Sequence, residues 1–174
     1  MNKKTLILAI TLSVTSAASV PVWAANTGGT VNVPEVGDYT GQVVTAATGD
    51  AANKNLVIDT DVTGNVHGGY ISNSGNTGNV NGNTVTVKDK IDIGKNIYGG
   101  YTKGSGAASS NTVYINGDVG SNVWGGRTNG NNADNNKIYI TGGTIAAGVY
   151  GGESGTSSTP NAKANNNEIH ITAV

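Results

Sequence analysis

Apolar and polar positions alternate in a pattern that recurs four times along the chain. Each copy reads aliphatic, three small or polar residues, aliphatic, a ring and then Gly-Gly; the copies span residues 62–69, 93–100, 119–126 and 145–152. The ring belongs to His67, Tyr98, Trp124 or Tyr150, and successive Gly-Gly pairs start 31, 26 and 26 residues apart. Self-similarity at a period of roughly 20 to 50 residues indicates a repeat architecture.

A second pattern, Asn-x-aliphatic-x-aliphatic, precedes each of the later copies and recurs near the end of the chain. It begins at Asn83, Asn111, Asn136 and Asn167, and a blurred version begins at Asn55, one position late. Strict alternation over about five residues is the period of a β-strand with one buried face. Each repeat therefore predicts one strand, a short bend, a second strand and a glycine-rich turn.

Together these elements predict an all-β chain folded as a parallel β-helix (β-solenoid) of about four to five rungs. Each strand would pair with its counterpart one rung away, at about 4.8 Å. The four asparagines would stack at one corner, where their amides can bond each other and the turn backbone. The Gly-Gly pairs would form a corner with positive φ and close approach of rungs. The predicted inward positions are Val62, Val66, Val85, Val87, Ile93, Ile97, Val113, Ile115, Val119, Val123, Ile145 and Val149.

The chain divides into three predicted segments. Residues 1–24 have the anatomy of a secretory signal: a basic start, an apolar run, and small residues before cleavage after Ala24, or after Ala25 as the next choice. Residues 25–53 are expected to cap the first rung, because a solenoid needs an atypical first unit. Residues 54–174 are expected to form the rungs, with an incomplete last rung. Four Gly, Ser and Asn-rich stretches of variable length, at 72–83, 102–110, 128–135 and 154–166, predict loops on one side of the stack.

Composition fits an exported, extended β protein and excludes several classes of function. The chain has no cysteine, so disulfides and thiol chemistry are excluded. The net charge of -1 becomes -3 once Lys3 and Lys4 leave with the signal, which is too weak to predict nucleic acid or acidic lipid as a partner. After residue 25 no stretch is apolar enough to cross a bilayer as a helix.

Candidate chemistry is sparse. His67 and His170 stand at positions that Tyr or Trp fill in other repeats, and no cysteine or dense carboxylate cluster accompanies them, so they do not predict a zinc site. Two carboxylate pairs, Asp59 with Asp61 and Asp89 with Asp92, could serve a polysaccharide-cleaving β-helix, but outward or turn positions explain them as well. EF-hand, β-roll calcium and phosphate-loop motifs are missing. We therefore expect no catalytic residue, no cofactor and no metal ligand.

The ring positions are the remaining candidate for an interaction site. If they face solvent, they form an aromatic strip suited to sugar rings or protein partners. Alternatively, the stacked rings only reinforce the solenoid, and the two interpretations are compatible. The strip would consist of His67, Tyr70, Tyr98, Tyr101, Trp124 and Tyr150, with Tyr114, Tyr139 and His170 on the other strand.

A cleavable signal followed by repeats such as Asn111-Thr-Val-Tyr-Ile and Val119-Gly-Ser-Asn-Val-Trp-Gly-Gly resembles the passenger region of bacterial autotransporter adhesins, the type V secretion family. The resemblance covers residues 54 to 171. It implies a right-handed parallel β-helix that is displayed on or released from the cell surface, commonly for adhesion, aggregation or biofilm formation. The outer-membrane β-barrel that exports such passengers has no counterpart in the sequence, which predicts a fragment or truncated passenger.

The sequence therefore predicts an exported, non-enzymatic solenoid that crosses the inner membrane. It would reach the cell surface if a barrel exports or holds it, and the periplasm otherwise. Its expected partners are a host or bacterial surface glycan or protein, or further copies of itself, and not nucleic acid. Two alternatives stay open: a polysaccharide-binding or polysaccharide-cleaving β-helix, and a self-assembling extracellular fibre subunit.

Overall fold

The computed structural model describes residues 30–31, 37–155 and 161–172. These residues form fourteen strands and no helix, and the strands stack in parallel as a β-solenoid of about five turns. Among them, no helix is long and apolar enough to cross a membrane. The predicted all-β parallel solenoid is confirmed; the predicted signal at 1–24 lies outside the described residues, and the right-handedness that the resemblance implies stays a prediction.

The first wall of the solenoid is a six-stranded parallel sheet made by the Asn-x-aliphatic-x-aliphatic pattern. The strands pair in the register that the sequence repeat predicts, for example Val85 with Val113 and Ile138 with Ile169. Because Asn55 pairs with Thr84, Lys54 takes the place of the corner asparagine in that rung. In sheet order the strands are β1 (Thr30–Val31), β4 (Asn55–Ile58), β6 (Thr84–Val87), β9 (Thr112–Ile115), β12 (Lys137–Ile140) and β14 (Glu168–Ile171).

The second wall carries the Gly-Gly pattern. A two-stranded ladder of β7 (Asp92–Ile93) and β10 (Asp118–Val119) leads into it, and single bridges extend this ladder to Val62 and Ile145. The main sheet stacks four six-residue strands in register, with two short N-terminal strands above the first. These strands are β2 (Tyr39–Thr40), β3 (Val43–Val44), β5 (Val66–Ile71), β8 (Ile97–Thr102), β11 (Val123–Thr128) and β13 (Val149–Ser154).

The variable stretches are only partly loops. Their last residues form a third wall, which backbone hydrogen bonds hold from rung to rung, such as Val80 N to the Ala107 carbonyl (2.8 Å) and Ala108 N to the Asn132 carbonyl (3.0 Å). The side chains that face inward along this third wall are small and fully buried: Ala51, Val80, Ala108 and Ala133. The prediction of simple loops was therefore incomplete. The earlier part of each stretch varies in length, and its last residues join the stack.

Aliphatic ladders fill the interior. One core cluster contains the inward residues of the first two walls, and a smaller one joins Ala51, Ile71 and Val80 with Val44 packed against it. The predicted inward positions are confirmed. Ile145 and Val149 are only partly buried, since they lie in the last rung and no further rung covers them within the described part of the chain.

The Gly-Gly pairs lie inside the long strands of the second wall, and the positive φ predicted for them was wrong. None of these eight glycines has a positive φ. The predicted close approach is confirmed: a Cβ on Gly68, Gly99 or Gly125 would collide with the carbonyl oxygen of the equivalent glycine in the next rung. Glycine is required at these positions because neighbouring rungs approach too closely for a Cβ, and not because the backbone adopts an unusual φ.

Positive φ occurs instead at the residue just before each corner position. Gly82 (φ 68), Ser110 (φ 57), Asn135 (φ 58) and Asn166 (φ 52) precede the four corner asparagines, and Asn53 (φ 57) precedes Lys54. Glycine and asparagine tolerate this left-handed region better than other residues. This residue turns the chain from the third wall back into the first.

Candidate functional site

The site with the most distinctive side chains is the outer face of the second wall, which we call the aromatic flank. It contains an inner column (His67, Tyr98, Trp124 and Tyr150) and an outer column (Tyr70, Tyr101, Arg127 and Glu153), three residues further along each strand. The rings of His67 and Tyr70 stack with their centroids 4.8 Å apart. In a regular strand, residues three apart face opposite sides, so the strand bends at its Gly-Gly pair to bring both columns together.

Rings of the inner column stack nearly parallel from rung to rung. Centroid distances are 4.9 Å for His67–Tyr98, 4.9 Å for Tyr98–Trp124 and 5.2 Å for Trp124–Tyr150, with interplanar angles of 4°, 5° and 14°. In-register parallel strands impose this spacing, since equivalent residues lie about 4.8 Å apart. Ring faces in the middle of the column are therefore occupied by neighbouring rings.

The outer column covers the inner one. Tyr70 and Tyr101 stack at 5.3 Å, and Tyr101 also stacks against Tyr98 at 5.0 Å. The Arg127 guanidinium lies 5.4 Å from the Tyr101 ring centroid and 5.0 Å from that of Trp124. As a result His67, Tyr98 and Trp124 are buried, whereas Tyr150 in the last rung keeps 44% of its surface exposed.

One acidic side chain fixes the C-terminal half of the flank. The Trp124 indole Nε1 donates a hydrogen bond to Glu153 Oε2 (2.7 Å), and Arg127 Nε donates to Glu153 Oε1 (2.9 Å). Burial favours loss of the Arg127 proton, but the charge of Glu153 and the neighbouring tyrosines outweigh it and raise the pKa of Arg127. Burial also raises the pKa of Tyr98, against the influence of Arg127. Both side chains keep their usual charge at neutral pH.

The N-terminal half of the flank holds a neutral histidine. Burial lowers the pKa of His67 to about 4, with a further small lowering by Lys103 and an opposing effect of Asp38. Its Nδ1 lies 3.2 Å from Thr40 Oγ1, and Lys103 Nζ lies 5.8 Å from the Tyr70 ring centroid. Unprotonated and enclosed by rings, His67 is positioned as part of the stack.

The structure places all six predicted strip residues in this flank, but as two columns of which the inner is largely covered. The sequence interpretation missed Arg127, Glu153 and Lys103. A signal for the first two was present, because both stand three residues after a ring, as Tyr70 and Tyr101 do. The other rings form a separate column on the first wall: Tyr114–Tyr139 at 5.1 Å and Tyr139–His170 at 4.8 Å.

Asp59 and Asp61, which form one of the predicted carboxylate pairs, have different partners. Asp59 forms an ion pair with Lys88 (3.5 Å), and Asp61 Oδ1 accepts a hydrogen bond from the backbone N of Asp92 (2.9 Å). Asp61, Asp92 and Asp118 follow one another along one line of the solenoid. Within the described residues, no group of three or more His, Asp or Glu side chains could hold a metal ion.

Comparison with known proteins adds no relative: no family model, no curated protein and no solved structure matches the chain. The resemblance to autotransporter passengers therefore stays a prediction.

Proposed function

We propose that this protein is an exported, non-enzymatic β-solenoid that serves as a passenger, or part of one, of an autotransporter-like surface protein in adhesion, aggregation or biofilm formation. The aromatic flank carries the proposal. Tyr, Trp and Arg dominate the energetics of protein interfaces because they bring large contact area together with hydrogen-bonding groups. In the flank these residues are already held by stacking and by Glu153, so little conformational entropy would be lost on binding.

The geometry of the flank favours a protein partner over a glycan. A sugar ring packs against the face of an aromatic side chain, and the faces of Tyr98 and Trp124 are taken by their neighbours. The partly exposed outer column offers Tyr70, Tyr101 and the Arg127–Glu153 pair. These groups suit the polar and aromatic side chains of a protein surface.

Binding assays with matched ring variants test the proposal. The exported product of the full chain is labelled and applied to intact bacterial cells, to the same cells after protease treatment, and to a glycan array. We expect binding to untreated cells, and a loss of about 30-fold for Tyr101→Ala, the size expected for an interface hot spot of about 2 kcal/mol. Tyr114→Ala is the control, because Tyr114 is a 44% exposed ring on the other wall.

Three outcomes separate the alternatives. Loss of binding after protease treatment and in Tyr101→Ala supports the protein partner. Glycan-array binding that depends on Tyr101 would show that the flank binds a glycan and not a protein. Equal binding by the wild type, Tyr101→Ala and Tyr114→Ala, or no binding to any of the probes, would contradict a role for the flank. Far-UV circular dichroism confirms that both variants keep the β-solenoid.

A further inference from the structure

The last strand of the first wall, β14, exposes aliphatic side chains whose equivalents in the earlier rungs are buried. All four residues of β14 are exposed, with Ile169 at 43% and Ile171 at 69%. Their equivalents in the preceding rung, Ile138 and Ile140, are 0% and 8% exposed. Three of the four exposed large hydrophobic side chains in the described residues, Tyr150, Ile169 and Ile171, lie at this end of the solenoid. Tyr39, at the N-terminal end of the core, is in contrast only 6% exposed.

The free edge of β14 also has a defined hydrogen-bonding pattern. Glu168 N donates to the carbonyl of Asn136, just before β12 (2.9 Å), and Thr172 N donates to the carbonyl of Ile140 on β12 (3.0 Å). In a strand, successive backbone groups point to alternate edges. The N–H and C=O groups of Ile169 and Ile171 therefore point away from β12, toward the open end. An exposed edge of this kind is a template for another strand.

We propose that a second copy of this chain pairs with the outer edge of β14. The two β14 strands run antiparallel, and the two-fold axis passes between the two Ile169 residues. In this register the two Ile169 residues exchange both of their edge hydrogen bonds, and Ile171 faces Asn167 of the other copy. Directly opposed residues in an antiparallel pair lie on the same face. Both isoleucines would thus extend the aliphatic core across the interface.

Charge selects the same register. On the outer face of β14 an acidic residue, Glu168, and a basic one, His170, flank Ile169. Rotation about the two-fold axis places Glu168 opposite His170 of the second copy, twice over. Within one chain Glu168 contacts His170 at 2.9 Å and Lys137 at 3.3 Å, and in the dimer His170 of the second copy would join this group. Opposite-charge pairs across an antiparallel sheet are favourable, whereas like charges are not.

The contact is small, so we expect dimers that form with rising concentration. Pairing of one short strand buries less than the roughly 1,200 Å² of a standard stable interface. Sedimentation velocity of the exported full chain should show a monomer at low concentration and up to twice that mass at high concentration. The proposal does not depend on the aromatic flank, and Tyr101→Ala should dimerise like the wild type.

Cysteine trapping tests the register directly, since the chain has no cysteine of its own. In Ile169→Cys the two introduced thiols face each other across the axis, at a Cα separation of about 5.5 Å that a disulfide can span. In the control Ile171→Cys, on the same strand and even more exposed, the thiols lie about four residues, or roughly 13 Å, apart. We expect mild oxidation to cross-link Ile169→Cys at least ten-fold more completely.

The charge arrangement provides a second test. His170→Glu alone would place carboxylates opposite one another and should weaken dimerisation about ten-fold or more. Adding Glu168→His exchanges the two side chains, restores two acid–base pairs and should return the affinity close to that of the wild type. Equal cross-linking of the two cysteine variants would overturn the two-fold register. A monomer at every concentration tested would overturn the proposal altogether.

Discussion

At the scale of single residues, the least expected feature is a histidine that is kept uncharged by its neighbours. His67 is only 4% exposed and lies beneath the rings of Tyr70 and Tyr98. Burial removes water from the imidazolium form and lowers the pKa of His67 from 6.5 to about 4. Asp38 opposes this change and Lys103 adds to it, but burial is the largest cause.

The low pKa of His67 predicts a pH-dependent stability. In the unfolded chain the histidine takes up a proton below its ordinary pKa, whereas in the folded chain it stays neutral until about pH 4. Its contribution to the free energy of unfolding is therefore complete above about pH 6.5 and falls by up to about 3 kcal/mol as the pH decreases to about 4. Urea unfolding of the wild type between pH 4 and 7 measures the total slope.

The control is His67→Tyr, which places in this rung the ring that position 98 carries. Carboxylates also titrate in this range, so the informative quantity is the difference in unfolding free energy between the two proteins at each pH. That difference should shift in favour of the tyrosine variant as the pH falls. A pH-independent difference would show that His67 takes up its proton as readily in the folded protein as in the unfolded chain.

At the scale of structural elements, the corner asparagines act as a continuous hydrogen-bonded ladder. Asn111 Oδ1 accepts from the backbone N and from Nδ2 of Asn83, both at 3.0 Å. Its Nδ2 donates to the Val80 carbonyl (3.0 Å) and to Asn136 Oδ1 (3.1 Å). The same arrangement repeats at Asn83 and Asn136. The ladder thus ties the third wall of one rung to the first wall of the next.

Replacing one asparagine of this ladder should lower the free energy of unfolding. Asn111→Leu would leave the backbone N of Asn83 and the carbonyl of Val80 buried without the bonds that Asn111 makes to them, at about 1–3 kcal/mol each. We expect a loss of about 3 kcal/mol or more in the free energy of unfolding, measured by urea denaturation. Asn116→Leu is the control, because Asn116 follows the same strand but is exposed, and a surface change of this kind alters stability by about 0.5 kcal/mol or less. Similar losses in both variants would contradict the ladder.

At the scale of the whole molecule, stability is distributed over stacked units that contact only their neighbours. The corner positions at 54, 83, 111, 136 and 167 are separated by 29, 28, 25 and 31 residues, yet each bonds its neighbour in the same way. A solenoid of this kind gains most of its stability from the interfaces between units, and a complete unit can be lost without disrupting the rest.

Deletion of one complete rung tests this modularity. Removing residues 111–135 joins Ser110 directly to Asn136, and both Ser110 and Asn135 have the positive φ that precedes a corner asparagine. We expect the shortened chain to keep its β-sheet circular dichroism, with a lower free energy of unfolding and an m-value reduced roughly in proportion to the residues removed. Removing residues 111–122 instead brings Val123 of the second wall to the corner and should prevent folding. Survival of both deletions would argue against fixed rungs.

Much of this architecture could be predicted from local pattern alone. Alternation from Asn83 to Val87 and its repeats specifies which side chains face inward, and equal position in the repeat specifies which residues become neighbours, because parallel stacking puts equivalent residues in register. The asparagine ladder and the stacking of the rings follow from the same rule. The predicted inward residues and the ladder were accordingly correct.

The errors arose where neighbouring rungs compete for space. Sequence pattern suggested a turn at Gly99-Gly100, but these glycines are required because the next rung approaches too closely for a Cβ. Exposure of the rings depends in the same way on side chains that come from other rungs: Tyr98 is covered by Tyr101 and Trp124 by Arg127. The bends that allow this contact exist only once the strands are stacked.

The sequence by itself therefore determined the repeat, the inward positions and the register, since all three are properties of one unit and its translation along the axis. Only the tertiary structure decided that the inner rings are buried, that Glu153 binds both Trp124 and Arg127, and that β14 is the outermost strand of its sheet among the described residues. These features depend on what lies beside, above or below a residue, and contacts between rungs are long-range in the chain although they are only about 5 Å in space.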